Sequence, residues 1–482
     1  MLPTFRSRVR LPSLAPLYQL KIHIHISFIC IQCILMRASK LSRYSWTMFD
    51  FANQPFYTLI MTFVFSVYFT DVFITGEDGA QKLTLTQTIS GVAIAILSPV
   101  LGSITDIKGN RKLLMGITSI LFVIGMALLW YSPPGASDGI WIVMFGLILA
   151  SAMVGFSEVF NNSVLATIET PENSGWLSGM GYGLGYISGL IALILFLLIF
   201  VWPGGETENL FGLNTKEYEH IRIVGPLCAI WYALFIIPLF LFTPDSKKKP
   251  ITTFDSIKIG LTNLINTFKE AKRYKNIFTF LITRMFYQDA LNALFVIGGV
   301  YASIVVGMTL TQVLILGIIL NILAGPSSIY GGYLNDLIGS KNVINLSLWG
   351  LLASGILGLS IDKDTIFYFF SVDEYSANVE DLTFGIFNSV SQVTYICVVI
   401  GISIFYGPAQ TASRALMIKL APPDKMTEFF GLYAFAGKST AWLVPGLMSL
   451  ILAFTGSLQY AMISIVLFNL IGIVGMYFVQ EK

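Results

Sequence analysis

The chain has 482 residues, 55% of them hydrophobic and 12% charged, with a formal net charge of +2 and a mean hydropathy of +0.75. A soluble domain carries about 25% charged residues, so composition argues against a soluble enzyme, a disordered chain or a nucleic-acid binder. The small net charge supplies no field that would gather a polyanion, and what remains is a polytopic membrane protein.

Residues 1–35 read as a leader unlike the rest. Arg6, Arg8 and Arg10 precede an apolar stretch from Ile22 to Leu35, which is shorter than the about 20 helical residues needed to span a bilayer. A small-residue cleavage site is absent. Met36 is followed by Arg37, Lys40 and Arg43, a basic flank for a first span. Met36 is therefore expected as the natural start, with an amphipathic or targeting leader as the alternative. His23, His25, Cys30 and Cys33 have metal-like spacing, but chance clustering in an apolar leader is the preferred reading. Cys228 and Cys397 lie in apolar runs, and His220 is the one histidine after the leader. No metal, cofactor or disulfide framework is expected.

From Trp46 onward, apolar runs alternate with short polar turns, predicting an all-α integral membrane fold of twelve spans. The first six are Met48–Ile74, Leu85–Ile104, Leu113–Tyr131, Ile140–Phe160, Leu177–Val201 and Ile223–Phe242. The second six are Ile277–Val306, Leu310–Leu334, Val343–Ile361, Leu382–Tyr406, Phe429–Phe454 and Leu458–Val479. The organisation is a leader at 1–35, a first half at 36–243, a basic linker at 244–276 and a second half at 277–482.

Lys and Arg gather on one side of these spans, while the other side carries Lys82, Lys216, Arg222 and Lys363. That asymmetry puts both termini in the cytoplasm. The linker holds Lys247, Lys248, Lys249, Lys272, Arg273 and Lys275. Its apolar pattern between Ile251 and Phe268 suits a short helix lying on anionic headgroups. The acidic outer loop Asp362–Asp381 reads as a plain solvated connection.

Two inner loops share one pattern, G-x3-D-x2-G-x-[RK]. The first copy has Gly102, Asp106, Gly109 and Arg111; the second has Gly332, Asp336, Gly339 and Lys341. Equivalent places in two six-helix halves point to a duplicated transporter fold and to a gate. The first glycine lets helices approach closely. The aspartate can bond exposed amides or a basic partner. The second glycine permits the turn, and the basic residue anchors it. A looser repeat relates Asn162–Pro171 to Ser413–Pro422.

Ionisable residues at membrane depth need a reason. Asp50, Asn53, Gln54 and Tyr57 share one face of the first span, and Arg284, Tyr287 and Gln288 share one face of the seventh. Asp289 points elsewhere, and Lys438 lies in the eleventh span above Trp442 and Pro445. Asp50, Asn53, Tyr57, Arg284, Tyr287, Asp289 and Lys438 are the candidate substrate and proton-coupling residues. Arg284 or Lys438 would hold a carboxylate; Asp50 or Asp289 would hold an ammonium or the coupling proton. Structural ion pairing is the competing reading. Glu158, Asn161 and Asn162 read as gating or capping groups. Gly181, Gly185 and Gly189 form a close-packing seam, and prolines such as Pro99, Pro326, Pro408 and Pro445 are expected to bend helices.

The paired loops resemble those of the major facilitator superfamily. Trp46–Tyr57, Phe160–Ser163, Arg284–Asp289 and Glu428–Lys438 resemble one branch, the autophagy-related vacuole effluxers and their bacterial relatives. The resemblance covers Trp46 to the C-terminus. It implies two pseudo-symmetric six-helix halves working by alternating access. For fungal members it implies export of amino acids from the vacuole, and for bacterial members little more than transport. The expected partners are a small polar solute, a coupling proton and the lipid bilayer, with a monomeric chain. A multidrug or other metabolite exporter of the same fold is the alternative; a transport-dead sensor and a membrane enzyme are weaker ones.

Overall fold

A computed structural model describes residues 40–74, 77–135, 139–201, 211–245, 250–270, 272–372, 379, 383 and 385–481. The leader at 1–35, Met36 and Lys247 to Lys249 fall outside these residues.

The first half is built from α1 (Lys40–Pro55), α2 (Glu77–Lys108), α3 (Arg111–Leu128), α4 (Ile140–Ile168), α5 (Ser174–Phe196) and α6 (Val224–Phe235). Helix α1 continues through π-helical turns at Phe56–Phe63 and Phe69–Phe73. The first begins just after Pro55, which has no backbone N–H to offer. The linker forms α7 (Thr253–Lys269), close to the predicted stretch, with Thr252 as N-cap accepting from the Asp255 amide. The second half contains α8 (Lys275–Ile304), α9 (Leu310–Ile338), α10 (Ser340–Leu359), α11 (Val390–Leu420), α12 (Met426–Lys438), α13 (Leu443–Thr455) and α14 (Ile463–Tyr477).

Eleven helical segments among the described residues are long and apolar enough to cross a membrane. Helix α8, the predicted seventh span, is not among them; it is a 30-residue helix carrying Arg284, Gln288 and Asp289. Several predicted spans differ in extent; the first and second begin earlier, at Lys40 and Glu77. The fourth runs on to Ile168, and the tenth is helical from Val390 to Leu420 rather than ending at Tyr406. Gly407-Pro408 does not stop α11, because α9 offers the proline ring a glycine: a Cβ at Gly331 would stand 2.5 Å from that of Pro408. The eleventh span breaks after Lys438 and resumes at Leu443. Pro445 then falls in the first turn of α13, where a missing N–H costs nothing. The outer acidic loop is more than a connection: Thr365–Ile366 pairs antiparallel with Phe370–Ser371, Thr365 opposite Ser371.

Helix α5 is packed on two sides through glycines. A Cβ at Gly181 would meet the Asp50 carboxylate at 2.3 Å and one at Gly189 the Thr58 hydroxyl at 2.4 Å, both on the first span. A Cβ at Gly179 would meet the Ser328 carbonyl of α9 at 2.5 Å. The α5–α9 seam has a counterpart in α2–α12, where a Cβ at Gly431 would meet the Ser98 carbonyl at 2.5 Å. These two seams join the halves. One buried apolar core runs from Phe49 to Leu239. The other lies mostly between Ile277 and Val479, joined by Trp46 and residues from Val159 to Leu177 of the first half.

Candidate functional site

The paired loops close one end of the bundle by the same device twice. Gly109 and Gly339 take positive φ values of 75° and 87°, a backbone region that glycine enters without strain. In the first loop, the Glu428 amide at the start of α12 donates to Asp106 Oδ2 at 2.8 Å. Arg111 Nη2 lies 3.1 Å from Asp106 Oδ1, and its Nε donates to Thr427 Oγ1 at 3.1 Å. In the second loop, Asp336 accepts from the Gly175 and Trp176 amides at 3.0 and 2.8 Å, at the start of α5. Each aspartate therefore satisfies orphan amides of a helix in the opposite half. Lys341 stays within its own half, with Nζ donating to the Tyr477 and Val479 carbonyls.

The first glycine of each loop makes this approach sterically feasible. A Cβ at Gly102 would stand 2.3 Å from the Thr427 carbonyl oxygen, and one at Gly332 would stand 2.4 Å from that of Gly175. Gly102→Val is expected to lower thermal stability by about 1–3 kcal/mol through overpacking. Gly91→Val should change little, because a Cβ there meets nothing within 4 Å. Equal melting temperatures for the two variants would refute the close-approach role.

Glu481 braces the second loop. It accepts from the Ser340 and Lys341 amides at 2.8 and 2.6 Å and from Lys419 Nζ at 2.7 Å. Burial alone would push this carboxyl up, but the Lys419 ammonium and the two amides outweigh it and hold it below the usual range. A carboxyl lowered by folding stabilises above its unfolded value and loses that contribution as pH falls through its folded value. Glu481→Gln is therefore expected to destabilise by about 1–3 kcal/mol near neutrality. The gap from wild type should narrow in melting curves as the medium turns acidic.

Deeper in the bundle, Asp50 and Arg414 form an ion pair across the halves. Arg414 Nη1 donates to Asp50 Oδ2 at 2.9 Å, and Nη2 to Oδ1 at 3.4 Å. Both residues are buried. The guanidinium also lies over the Tyr182 ring at 3.9 Å and near the Trp46 ring at 5.4 Å, a stacked geometry suited to arginine. Asp50 is thus a paired carboxylate in this conformation, and Arg414, expected in a loop, is the missed partner.

The remaining charged groups are less fully matched. Arg284 donates from Nη1 to the Tyr433 carbonyl at 3.0 Å and stacks 3.5 Å above the Tyr433 ring. It has no carboxylate partner among the described ion pairs, and its Nε lacks a partner. Asp289 is buried, and neither oxygen has a donor in full hydrogen-bond geometry, but the Thr440 hydroxyl and the Arg284 guanidinium lie close enough to act on it. The nearby Thr440 hydroxyl turns instead to the Met285 carbonyl at 3.5 Å. On the first half, Glu158 Oε1 accepts from the Tyr57 hydroxyl at 2.9 Å. Lys438, on the second half, acts electrostatically on Glu158. It lies in the middle of the Pro423–Thr455 span, yet its side chain is exposed.

The other expected site residues are placed differently. Tyr287 is fully buried and its hydroxyl bonds Ser413 of α11 at 2.8 Å, so it does not share an open face with Arg284. Asn53 is buried with Nδ2 unpartnered. Asn161 is buried with both side-chain polar atoms unpartnered, while its carbonyl accepts from Trp46 Nε1 at 2.8 Å. The structure brings Tyr57 and Lys438 towards Glu158, a residue the sequence assigned to gating or capping. A carboxylate on a helix whose following residues are mostly apolar or amide was the available signal.

Duplicated inter-half seams, paired loops and charges at membrane depth define a transporter of the major facilitator type, a multi-pass integral membrane protein. The fold is similar to that of the E. coli fucose:proton symporter, with a TM-score of 0.66 and 12% identity over 92% of this chain and 98% of that one. It is also similar to the proton:xylose symporter XylE, with a TM-score of 0.61 and 13% identity over 92% and 95% of the two chains. The family model "Vacuole effluxer Atg22 like" matches residues 78–482, and the chain belongs to that family. It is 25% identical over 447 residues to the uncharacterized MFS-type transporter YxiO of Bacillus subtilis (strain 168), covering 91% of this chain and 94% of that protein. It is 24% identical over 247 residues to autophagy-related protein 22 of Cryptococcus neoformans, covering 50% of this chain and 42% of that protein.

Proposed function

We propose that this transporter moves a small zwitterionic solute, an amino acid, by alternating access coupled to a proton. One observation carries this reading: both halves bury or hold at membrane depth acidic and basic groups that lack full internal compensation. Arg284 is held by a carbonyl and a ring, Lys438 is exposed at mid-span, Glu158 has a tyrosine hydroxyl, and neither Asp289 oxygen is hydrogen-bonded. A zwitterion supplies both missing charges. Arg284 and Lys438 would receive the carboxylate, and Glu158 with Tyr57 the ammonium. Asp289 would carry the coupling proton, because burying an unpaired carboxylate is costly and its burial and its proton therefore travel together. Asn53 would line the same interface, and Tyr287 would fix α8 against α11.

The two paired loops would act as the cytoplasmic gate. Rocking of the halves at 36–243 and 277–482, joined by 244–276, would break the caps at Asp106 and Asp336 together with the Asp50–Arg414 pair. Both termini would be cytoplasmic, the chain monomeric, and the membrane vacuolar in a fungus or the inner membrane in a bacterium. The test is uptake of a labelled amino-acid mixture into proteoliposomes, with and without an imposed proton gradient. Gradient-driven accumulation supports the reading. No uptake in either gradient orientation removes the amino-acid assignment and leaves the family membership standing. Competition by lipophilic cations would favour a multidrug exporter instead.

A further inference from the structure

A surface helix of a globular protein ordinarily turns its apolar stripe inward. Helix α7 does the reverse. Its buried residues are Ser256, Gly260 and Thr267. Phe254, Ile257, Leu261, Ile265 and Phe268, spaced at i, i+3, i+7, i+11 and i+14, form one stripe and are 39–77% exposed. Exposed Lys258 and Lys269 flank that stripe on the side away from Ser256 and Gly260, and exposed Lys272, Arg273 and Lys275 follow. The acidic residues of this segment are locally engaged: Asp255 accepts from Thr252 and Glu270 pairs with Arg273. An apolar stripe edged by lysines, at the end of a membrane-spanning bundle, has the chemistry of a helix seated at the boundary between headgroups and acyl chains.

The buried side of α7 is tied to the closed end. Ser103 Oγ of α2 lies 2.9 Å from the Gly260 carbonyl and 2.8 Å from Glu428 Oε2 of α12. Its one proton serves one acceptor at a time. A Cβ at Gly260 would stand 3.0 Å from Ile104. Lys425 Nζ, in the turn before α12, donates to Thr267 Oγ1 at 2.8 Å. Helix α7 therefore touches both halves at the place where Asp106 caps α12.

We propose that the outer face of α7 is occupied by anionic lipid, and that this occupancy holds the paired-loop end of the bundle closed. Lipid charge gathers around the lysines, the stripe enters the acyl boundary, and the buried side is pressed onto α2 and the turn before α12. The inference does not depend on the substrate and rests on the reading that the paired-loop end opens and closes.

The test uses the full chain without native cysteines, in vesicles of phosphatidylcholine alone or with phosphatidylglycerol added. A nitroxide at Ile265→Cys reports immersion through its relative accessibility to oxygen and to a nickel chelate. A second pair, Leu113→Cys with Ile338→Cys, reports the width of the closed end; both positions are exposed and lie outside the paired-loop contacts. With phosphatidylglycerol, the Ile265 label should favour oxygen and the pair should show a single short distance. A longer population should appear in phosphatidylcholine alone. It should also appear with phosphatidylglycerol when Lys258→Gln and Lys269→Gln are combined, and disappear again in the Lys258→Arg, Lys269→Arg protein. All four changes are at exposed positions, so folding is retained. An Ile265 label that favours the nickel chelate overturns the proposal, as do pair distances unchanged between vesicles and variants. Dipolar coupling in protein labelled at Ile265 alone would show a second copy on the stripe and also overturn it.

Discussion

Arg414→Gln is expected to destabilise the protein by about 3–5 kcal/mol, because it leaves the buried Asp50 carboxylate without its counterion. Asp50→Asn should also destabilise, by stranding the guanidinium between the Tyr182 and Trp46 rings. The double variant Asp50→Asn, Arg414→Gln is expected to recover much of the loss, since replacing a buried ion pair as a unit is often close to neutral. Recovery will be incomplete, because the stacking of Arg414 on its rings is worth about 0.5–2 kcal/mol in its own right. Thermal unfolding of the four proteins in one lipid mixture completes the cycle. Purely additive losses would mean that the two residues do not act as a pair. Gly181 offers a related check: a Cβ there would stand 2.3 Å from Asp50 Oδ2, so Gly181→Ala should push the carboxylate off the guanidinium and partly reproduce the single-variant loss.

The chain made some of this legible. Asp106 and Asp336 could be found because their motif is written twice. Their acceptor role could be anticipated, but not their targets, which are backbone amides of Gly175, Trp176 and Glu428 and carry no side-chain signature. The linker helix was readable between Ile251 and Phe268 because its apolar spacing is helical, and it forms over Thr253–Lys269; which side faces the bundle was not, because small residues there pack better than large ones. Arg414 was missed because the apolar run of the tenth span ends at Tyr406, whereas the helix runs on through Pro408, whose ring Gly331 on the neighbouring helix accommodates. Tyr287 shares a face with Arg284 on an isolated helix. In the bundle α11 lies against it and takes its hydroxyl. Lys438 could be located in the eleventh span, but not the helix break beside it. That break puts the cation at a helix C-terminus, where the macrodipole favours positive charge.

Asp289→Asn and Arg284→Ala should separate coupling from binding. Neither oxygen of the buried Asp289 is hydrogen-bonded, so in the proposed coupling role its carboxyl would enter the closed bundle together with its proton. The asparagine variant is permanently neutral. It is expected to retain exchange of labelled for unlabelled amino acid across the vesicle membrane while losing at least most gradient-driven accumulation. Arg284→Ala is expected to weaken substrate binding itself. Removing one member of a desolvated charge pair costs about 2–5 kcal/mol, or about a 30-fold or greater loss of affinity. Arg284→Lys should not restore it, because a point ammonium cannot both stack on the Tyr433 ring and donate to the Tyr433 carbonyl with the guanidinium's planar geometry. Exchange and accumulation assays on the same reconstituted proteins distinguish the two roles. If Asp289→Asn abolishes exchange as completely as accumulation, Asp289 serves binding or folding rather than coupling. If Arg284→Ala leaves the concentration dependence of exchange unchanged, Arg284 does not hold the carboxylate.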